Sequence, residues 1–387
     1  MRVADQRILI SGLSSLGDLA SPGAVLIAGG EIAALDEEAV SASDGAQVRA
    51  ADGLTAVPGF IELQLNGAFG HDFTTDPASM WRVGDRLARH GVTAFLPTIV
   101  TSERGSVDAA LDALARAETA VGAIPLGLHV EGPFLSPARA GAHDPAFLRE
   151  PDLDELRGWA TRGGIRILTL APELPGALDA IRLLTEAGVV AAVGHTDADA
   201  STAAAAVEAG ARYATHLFNA MPPFRHRQPG AAGALLADLR VTVGLILDRH
   251  HLDPIVVSLV ERMAHGRISL VSDAIAALGL GEGEHRLGGL RVEVRDGAAR
   301  LADGTLAGSA TPLDVCIRSF ASMTRAPEEA VAAVTSVPAR LLGLDDGRGE
   351  LRVGGRADLV LLDAELEVQA TIVGGEIAYA SETLGWR

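Results

Sequence analysis

Strand-like and helix-like segments alternate regularly through the middle of this 387-residue chain, and this alternation leaves few folds open to it. Short apolar runs recur every 24 to 40 residues, and segments of helical periodicity separate most of them. Eight buried parallel strands that alternate with helices predict a (β/α)8 barrel, an α/β fold of the TIM type. The predicted strands are 59–66, 93–100, 125–131, 165–170, 189–194, 213–216, 241–247 and 268–271.

Helices are predicted between these strands, and several are followed by a glycine that suits a helix C-cap. The predicted helices are 78–90, 107–121, 176–187, 198–209 and 254–265, with closing helices at 312–323 and 335–342. Residues 286–301 are typical of a β-hairpin inserted after the last barrel strand.

Both ends of the chain are rich in short β-type runs with glycine turns and contain no convincing long helix. At the C-terminal end, the pair Gly374-Gly375 predicts a hairpin turn between two strands. We therefore expect residues 1–57 and 355–387 to build one small β-sandwich domain, with residues 58–354 inserted between them as the barrel domain.

The net charge limits the kinds of partner that the chain can bind. Fifty acidic residues against 32 basic ones give a net charge of -18, which argues against general affinity for nucleic acid or anionic membranes. The first residues lack the pattern of a secretory signal, and no apolar stretch reaches about 18 residues. A soluble cytoplasmic protein that acts on a small molecule is the expected class.

The cysteine and lysine counts limit the chemistry. One cysteine, Cys316, excludes an intramolecular disulfide and any multi-cysteine metal site. All 32 basic residues are arginine, and the absence of lysine removes Schiff-base catalysis and a carboxylated lysine that bridges two metals. A metal site in this chain must therefore use histidine and carboxylate ligands.

Polar side chains mark the carboxyl ends of several predicted strands, where the active site of a barrel lies. Two histidines and a carboxylate with an open fourth position form the ligand set of a catalytic zinc site or of a related divalent metal. Such a metal activates water and polarises a carbonyl group. The strand-end residues are Gln64, Asn66, Glu131, His195, His216 and Asp273.

Two of these assignments have alternatives. His129 lies two residues before Glu131 and projects from the same face of the strand. On the two-residue period of a strand alone, it is an alternative metal ligand. Asp273 could cap the following helix, but a carboxylate beside an activated water is also placed to act as a general base. A single histidine at a strand end is more often a packing residue than a ligand, whereas two of them with a glutamate at matching ends favour a metal site.

Seven motifs in order along the chain resemble the N-acetylglucosamine-6-phosphate deacetylase family of the amidohydrolase superfamily. They are HVEGPF at 129–134, GAH at 141–143, GHT at 194–196, THLFNAMPP at 215–223, HRQPG at 226–230, SDA at 272–274 and GTLAGSA at 304–310. The resemblance implies metal-dependent hydrolysis of an acetamido group on an amino-sugar phosphate, which releases acetate and D-glucosamine 6-phosphate.

The resemblance also implies a role for each matching residue. Glu131, His195 and His216 would hold one divalent metal, which we expect to be Zn²⁺. Asp273 would take a proton from the attacking water and deliver it to the leaving amine. His143 would polarise the acetyl carbonyl and stabilise the oxyanion, a task worth a few kcal/mol.

For the substrate, the resemblance implies contacts from several regions of the chain and from a second subunit. Residues implied to bind the phosphate or the sugar are Ala142, His143, Asn219, Ala220, Arg227, His251, Leu306, Ala307 and Gly308. A planar guanidinium such as that of Arg227 can grip phosphate bidentately. Because a neighbouring subunit often completes the phosphate site in this family, a homodimer is expected.

The chain departs from the wider pattern at three places. Gln64 and Asn66 occupy the positions of a His-x-His pair that binds a second metal, so we expect a single metal. Arg249 stands where the family usually has glycine. An arginine at this position would either strengthen anion binding or narrow the entrance of the phosphate pocket. Ala140 replaces a basic residue before the GAH motif. The choice of His251 over the adjacent His250 depends on alignment alone.

Three other functions stay open from the sequence. N-acetylgalactosamine 6-phosphate differs from N-acetylglucosamine 6-phosphate in the configuration of one hydroxyl group, and no motif in the sequence shows which configuration the site recognises. A cyclic-amide hydrolase is disfavoured by the missing His-x-His pair and lysine. A non-catalytic sugar-phosphate binder of the same fold would have no need of a stoichiometric metal. The native metal, the subunit that supplies each phosphate contact and any loop closure are also left open.

Overall fold

The computed structural model describes residues 7–116 and 121–386 of the chain. Its central sheet contains eight parallel strands that pair in sequence order. A two-residue strand, Ile124–Pro125, adds to the second of them. The eight strands are Phe60–Leu65, Val92–Val100, Leu128–Glu131, Ile165–Leu170, Val190–Val193, Tyr213–Ala214, Thr242–Ile246 and Ile268–Val271.

Backbone hydrogen bonds join the first strand to the eighth and close the sheet. The Asp273 N–H donates to the Gln64 carbonyl at 3.0 Å, and the Asn66 N–H donates to the Ala274 carbonyl at 2.8 Å. The predicted barrel is therefore confirmed, and its carboxyl-terminal rim carries the polar side chains that the sequence analysis singled out.

Helices cover the barrel, and three of those described begin after an aspartate whose side chain caps the first turn. Asp152, Asp199 and Asp253 each accept hydrogen bonds from backbone N–H groups of the turn they precede. Glycines in the left-handed conformation, such as Gly91 at φ 76°, turn the chain toward the next strand. The helices around the barrel are Met80–Leu87, Ser106–Ala115, Leu153–Arg162, Ala177–Glu186, Ala200–Ala209, Gly230–Ala237, Pro254–Met263, Leu313–Thr324, Pro327–Ala332 and Ser336–Leu341.

Some predicted bounds differ from the structure. The predicted helix 107–121 is seen as Ser106–Ala115, and its residues 117–120 lie outside the described part of the chain. The predicted third strand, 125–131, divides at Gly127, whose φ of 140° and close approach to the Gly164 carbonyl interrupt it. Helices Leu153–Arg162 and Gly230–Ala237 were not among the predicted segments.

The barrel interior is filled by apolar side chains from most of the strands. This cluster includes Tyr213 and continues to Ala339 and Leu342, at the end of the closing helix Ser336–Leu341. Arg166, at the start of the fourth strand, donates to the Leu342 carbonyl at 2.5 Å. The closing helix therefore seals the end of the barrel opposite the polar rim.

The two chain ends form two four-stranded sheets that share one hydrophobic core. This is the predicted sandwich, and a short helix, Asp36–Ser41, accompanies it. The division of the chain at 57/58 and 354/355 into two domains stays a prediction. In sheet order the strands are Glu31–Leu35, Ala24–Ala28, Arg7–Ser11 and Gln47–Ala50, then Glu376–Ala380, Val368–Val373, Leu359–Leu362 and Thr55–Pro58.

An antiparallel sheet follows the eighth barrel strand where the sequence predicted a hairpin. It has four strands instead of two, and the pairing of Ser309 with Ala274 fixes it to the rim. Its strands are Gly283–Leu287, Leu290–Arg295, Ala298–Arg300 and Leu306–Ser309. Among the described helices, none is long and apolar enough to cross a membrane.

Candidate active site

Four of the predicted residues emerge from the ends of different barrel strands. Glu131 is the last residue of the third strand, and His195, His216 and Asp273 follow the fifth, sixth and eighth strands within two residues. The last three adopt the left-handed conformation, with φ values of 48°, 29° and 48°. Such backbone is uncommon for residues other than glycine and costs of the order of 1 kcal/mol or more each. The chain thus bends sharply at the points that aim these side chains over the rim.

Glu131, His195 and His216 bring three ligand atoms to one point. His195 Nε2 and His216 Nε2 lie 3.0 Å apart, and they are 3.3 and 3.0 Å from Glu131 Oε1. In a tetrahedral zinc site with bonds of about 2.1 Å, neighbouring ligand atoms are about 3.4 Å apart. These separations and the mixture of two nitrogens and one oxygen fit a divalent metal.

The protonation of His195 supports the same fit. Its Nδ1 lies 2.9 Å from the Arg139 carbonyl, which can only accept, so Nδ1 carries the proton and Nε2 presents a lone pair. Burial raises the pKa of the Glu131 carboxyl, but the adjacent His195 and His216 outweigh it and hold this pKa well below its ordinary value. A cluster of buried, electron-rich atoms of this kind is stabilised by a cation.

Asp273 lies beside this cluster and is held by two side-chain amides. Asn66 Nδ2 donates to Asp273 Oδ1 at 2.7 Å, and Gln64 Nε2 donates to the same oxygen at 3.1 Å. Burial, and then the negative charge of Glu131, raise the pKa of Asp273 to about 6. A carboxylate with this pKa is matched to proton transfer near neutral pH.

His143 faces the cluster from the loop after the third strand. Its Nε2 is 4.0 Å from Glu131 Oε2, and its ring meets that of His195 edge-on at 4.4 Å. The backbone N–H of Thr101 donates to His143 Nδ1 at 3.3 Å, which assigns the remaining ring proton to Nε2. Burial, and then the neighbouring His195, lower the pKa of His143 to about 3. His143 is therefore a neutral hydrogen-bond donor aimed into the site.

These groups share a cavity of about 440 Å³, a size that suits a sugar phosphate. Six of the residues implied to bind substrate line it together with His143: Ala142, Asn219, Ala220, His251, Leu306 and Gly308. Arg139 and Leu287, which no sequence pattern had indicated, also line it. Arg139 lies in the loop after the third strand, and Leu287 lies in the inserted sheet. The periodicity that predicts the barrel strands does not predict which side chains of these segments face the cavity.

Two predicted substrate residues lie elsewhere. Ala307 is fully buried beside the cavity wall and does not line it. Arg227 is exposed and lines a neighbouring depression that also contains Arg139 and Arg225. Within a single chain, the Arg227 guanidinium is therefore separate from the cavity, and its role as a phosphate contact stays a prediction.

The structure bears on two histidine assignments, that of His129 as a rival ligand and that of His251 over His250. His129 binds the Leu63 carbonyl through Nδ1 at 3.0 Å and Thr169 Oγ1 through Nε2 at 2.8 Å, so both of its nitrogens are used in packing. His251 faces the cavity, with Nδ1 held by Asp248 at 2.8 Å, whereas His250 is exposed. The contacts thus assign both ring nitrogens of His129 to packing and place His251 at the cavity, while the role of His251 in substrate binding stays a prediction.

Comparison with known proteins agrees with this geometry. Residues 55–378 match the sequence pattern of the amidohydrolase family. The chain is 42% identical over 347 residues to an N-acetylglucosamine-6-phosphate deacetylase of Bos taurus, with 85% of each chain covered. It is 37% identical over 358 residues to an N-acetylgalactosamine-6-phosphate deacetylase of Escherichia coli O157:H7, with 91% of this chain and 93% of the relative covered.

A solved structure extends the likeness to the fold. A mutant N-acetyl-D-glucosamine-6-phosphate deacetylase of Mycobacterium smegmatis, in complex with N-acetyl-D-glucosamine-6-phosphate, superposes with a TM-score of 0.86 at 36% identity. The match covers 97% of this chain and 100% of that one. With the barrel, the ligand cluster and these matches over most of its length, the chain belongs to the amidohydrolase family.

Proposed function

We propose that this chain hydrolyses the acetamido group of N-acetyl-D-glucosamine 6-phosphate to acetate and D-glucosamine 6-phosphate. The observation that carries the proposal is one cavity that joins a three-ligand cluster, a carboxylate with a raised pKa and a neutral histidine donor. The named activity of relatives at up to 42% identity supports the same substrate.

Glu131, His195 and His216 would hold one divalent metal, for which we propose Zn²⁺ because nitrogen and oxygen ligands in this number suit it. When bound, the metal activates water and polarises the acetyl carbonyl. No lysine is present to bridge a second ion, and the amides of Gln64 and Asn66 are poor zinc ligands. A single metal per chain is therefore expected.

The chain's own side chains would handle the protons. Asp273 would take a proton from the water whose oxygen forms the new bond to the acetyl carbon. It would return that proton to the nitrogen as the C–N bond breaks, so that the amine leaves uncharged. His143 would donate its Nε2 proton in a hydrogen bond to the carbonyl oxygen, where negative charge develops.

The 6-phosphate would lie toward His251 and the backbone of Asn219 and Ala220, which line the cavity. Asp248 supports this role, because its carboxylate accepts a hydrogen bond from His251 Nδ1 and so fixes the orientation of the ring. Arg227 would complete the phosphate site from a second subunit. Leu306 and Gly308 would contact the sugar.

We also propose a homodimer in the cytoplasm. Three apolar side chains four residues apart, Ile255, Leu259 and Met263, lie exposed on one face of helix Pro254–Met263, with 72%, 54% and 53% exposure. Such a stripe is typical of a surface that another protein covers. The distance of Arg227 from the cavity of its own chain also supports a shared site.

The second candidate substrate is N-acetylgalactosamine 6-phosphate, which the relative from Escherichia coli O157:H7 favours. A non-catalytic sugar-phosphate binder is disfavoured, since the three ligands, Asp273 and His143 are all in place.

The test is acetate release by zinc-loaded protein from three sugars: N-acetylglucosamine 6-phosphate, its galacto epimer and unphosphorylated N-acetylglucosamine. Rapid release from the first alone would establish the reaction and the phosphate requirement. Faster release from the galacto epimer would shift the substrate to that sugar. No release from any sugar by metal-loaded protein would refute a deacetylase.

A further inference from the structure

Gln64 and Asn66 follow the pattern Gln-x-Asn at the end of the first barrel strand, and both side chains contact Asp273. Each amide NH₂ group donates to Asp273 Oδ1, at 3.1 and 2.7 Å. Among the described residues, no hydrogen bond reaches the other carboxylate oxygen, Oδ2, and Asp273 lines the cavity. The two oxygens of this carboxylate are therefore in different environments.

The orientation of both amides follows from their partners. A carboxylate oxygen only accepts hydrogen bonds, so the NH₂ end of each amide must face Asp273. In this orientation Gln64 Oε1 and Asn66 Oδ1 are buried without a hydrogen-bond partner among the described residues. A buried unpaired carbonyl costs about 1–3 kcal/mol. Packing alone gives no reason for two such groups side by side, whereas a need for the NH₂ ends does.

We propose that Gln64 and Asn66 are positioning residues for Asp273, whose Oδ1 they hold so that Oδ2 takes the proton from the attacking water. This inference rests on the proposed deacetylase function. Two donors on one oxygen restrict rotation of the carboxylate about its Cβ–Cγ bond. The free oxygen then has a fixed direction toward the cavity, which is the condition for efficient proton transfer.

Gln64 has a second contact that extends this role. Its Nε2 also lies 3.1 Å from Glu131 Oε1. One NH₂ group thus bridges the base carboxylate and the ligand carboxylate, and a neutral donor offsets the repulsion between two buried negative charges. Gln64 therefore links the base to the metal-binding cluster without adding a charge of its own.

Substitutions at Asn66 separate this role from simple packing. Asn66→Ala removes one donor and is expected to lower kcat by about 10- to 100-fold, with KM and bound zinc within about twofold of wild type. Asn66→Asp keeps the side-chain volume but places an oxygen where the donor was, 2.7 Å from Asp273 Oδ1. It is therefore expected to lower kcat further than Asn66→Ala does, although a packing role predicts the opposite order.

Gln369→Glu is the matched control. Gln369 Nε2 donates to Asp363 Oδ2 at 2.7 Å in the C-terminal sheet, so the change creates the same acid–acid contact far from the cavity. Its kcat is expected within about twofold of wild type. Gln64→Ala serves as a second variant if Asn66→Asp does not fold, and it too should lower kcat with zinc content retained.

The measurements are kcat and KM for acetate release, zinc per chain by elemental analysis, and melting temperature. The inference would be overturned if the kcat of Asn66→Asp equalled or exceeded that of Asn66→Ala. It would also be overturned if the variants lost activity through a higher KM or a lower zinc content instead of a lower kcat. In both cases, turnover by the wild-type protein would still uphold the proposed function. Wild-type protein without turnover would overturn both.

Discussion

Replacing Asp273 with asparagine is expected to slow deacetylation and, at the same time, to stabilise the metal-free protein. The isosteric amide oxygen can still accept from Asn66 and Gln64, but the amide nitrogen cannot take a proton. A general base contributes about 10²- to 10⁴-fold to the rate. The expected loss in kcat is therefore about 3–5 kcal/mol of transition-state stabilisation.

The gain in stability follows from the pKa of Asp273. Burial and the Glu131 charge raise this pKa from 3.8 to about 6, so the folded protein binds this proton more tightly than the unfolded chain does. Ionised Asp273 therefore destabilises the fold by up to about 3 kcal/mol. This cost is absent below about pH 4, grows between pH 4 and 6, and is constant above pH 6. Asparagine has no such cost.

The assay is thermal melting of EDTA-treated wild-type and Asp273→Asn protein at pH 4 and pH 7.5, with acetate release measured on the zinc-loaded forms. The variant should melt higher than wild type at pH 7.5, and the difference should disappear at pH 4. A variant that melts lower at pH 7.5, or that keeps more than a tenth of wild-type kcat, would refute the reasoning.

Three further outcomes are expected. His216→Ala should lose most of the bound zinc together with turnover, because two ligand atoms remain; a full equivalent of zinc by elemental analysis would exclude His216 as a ligand. The ratio kcat/KM should fall as pH drops through about 6 or below, since Asp273 must be ionised and a bound cation lowers its pKa further; an acid limb above pH 7 would contradict this. Tyr213→Phe should raise the free energy of unfolding by up to about 1–3 kcal/mol in urea titrations, because the buried Tyr213 hydroxyl has no hydrogen-bond partner among the described residues; a clear loss would show that the hydroxyl is bonded.

Much of the site could be predicted because barrel geometry converts positions along the chain into positions in space. Glu131, His195, His216 and Asp273 are far apart in sequence, but each is the last residue of a strand or follows one within two residues, and parallel strands end at one rim. The apolar periodicity that marks those strands is set by burial, so it survives in the sequence as a readable pattern.

The remaining residues depend on contacts that no local pattern encodes. His129 is excluded as a ligand by the Leu63 carbonyl and Thr169 Oγ1, which lie 66 and 40 residues away in the chain. Arg139 enters the cavity from a loop, and its carbonyl fixes the His195 tautomer. Arg227 was assigned to the phosphate by motif alone, and its place outside the cavity of its own chain depends on a loop conformation that periodicity does not reveal.

The pairing of the two chain ends has a consequence for synthesis on the ribosome. Strand Thr55–Pro58 hydrogen-bonds to Leu359–Leu362, which is translated about 300 residues later. At about 5–20 residues per second, the earlier strand waits about 15–60 s for its partner. During that interval its apolar face has no sheet to join, so the nascent chain is exposed to aggregation until its last segment emerges, and a premature stop in that segment would leave the early strand permanently unpaired.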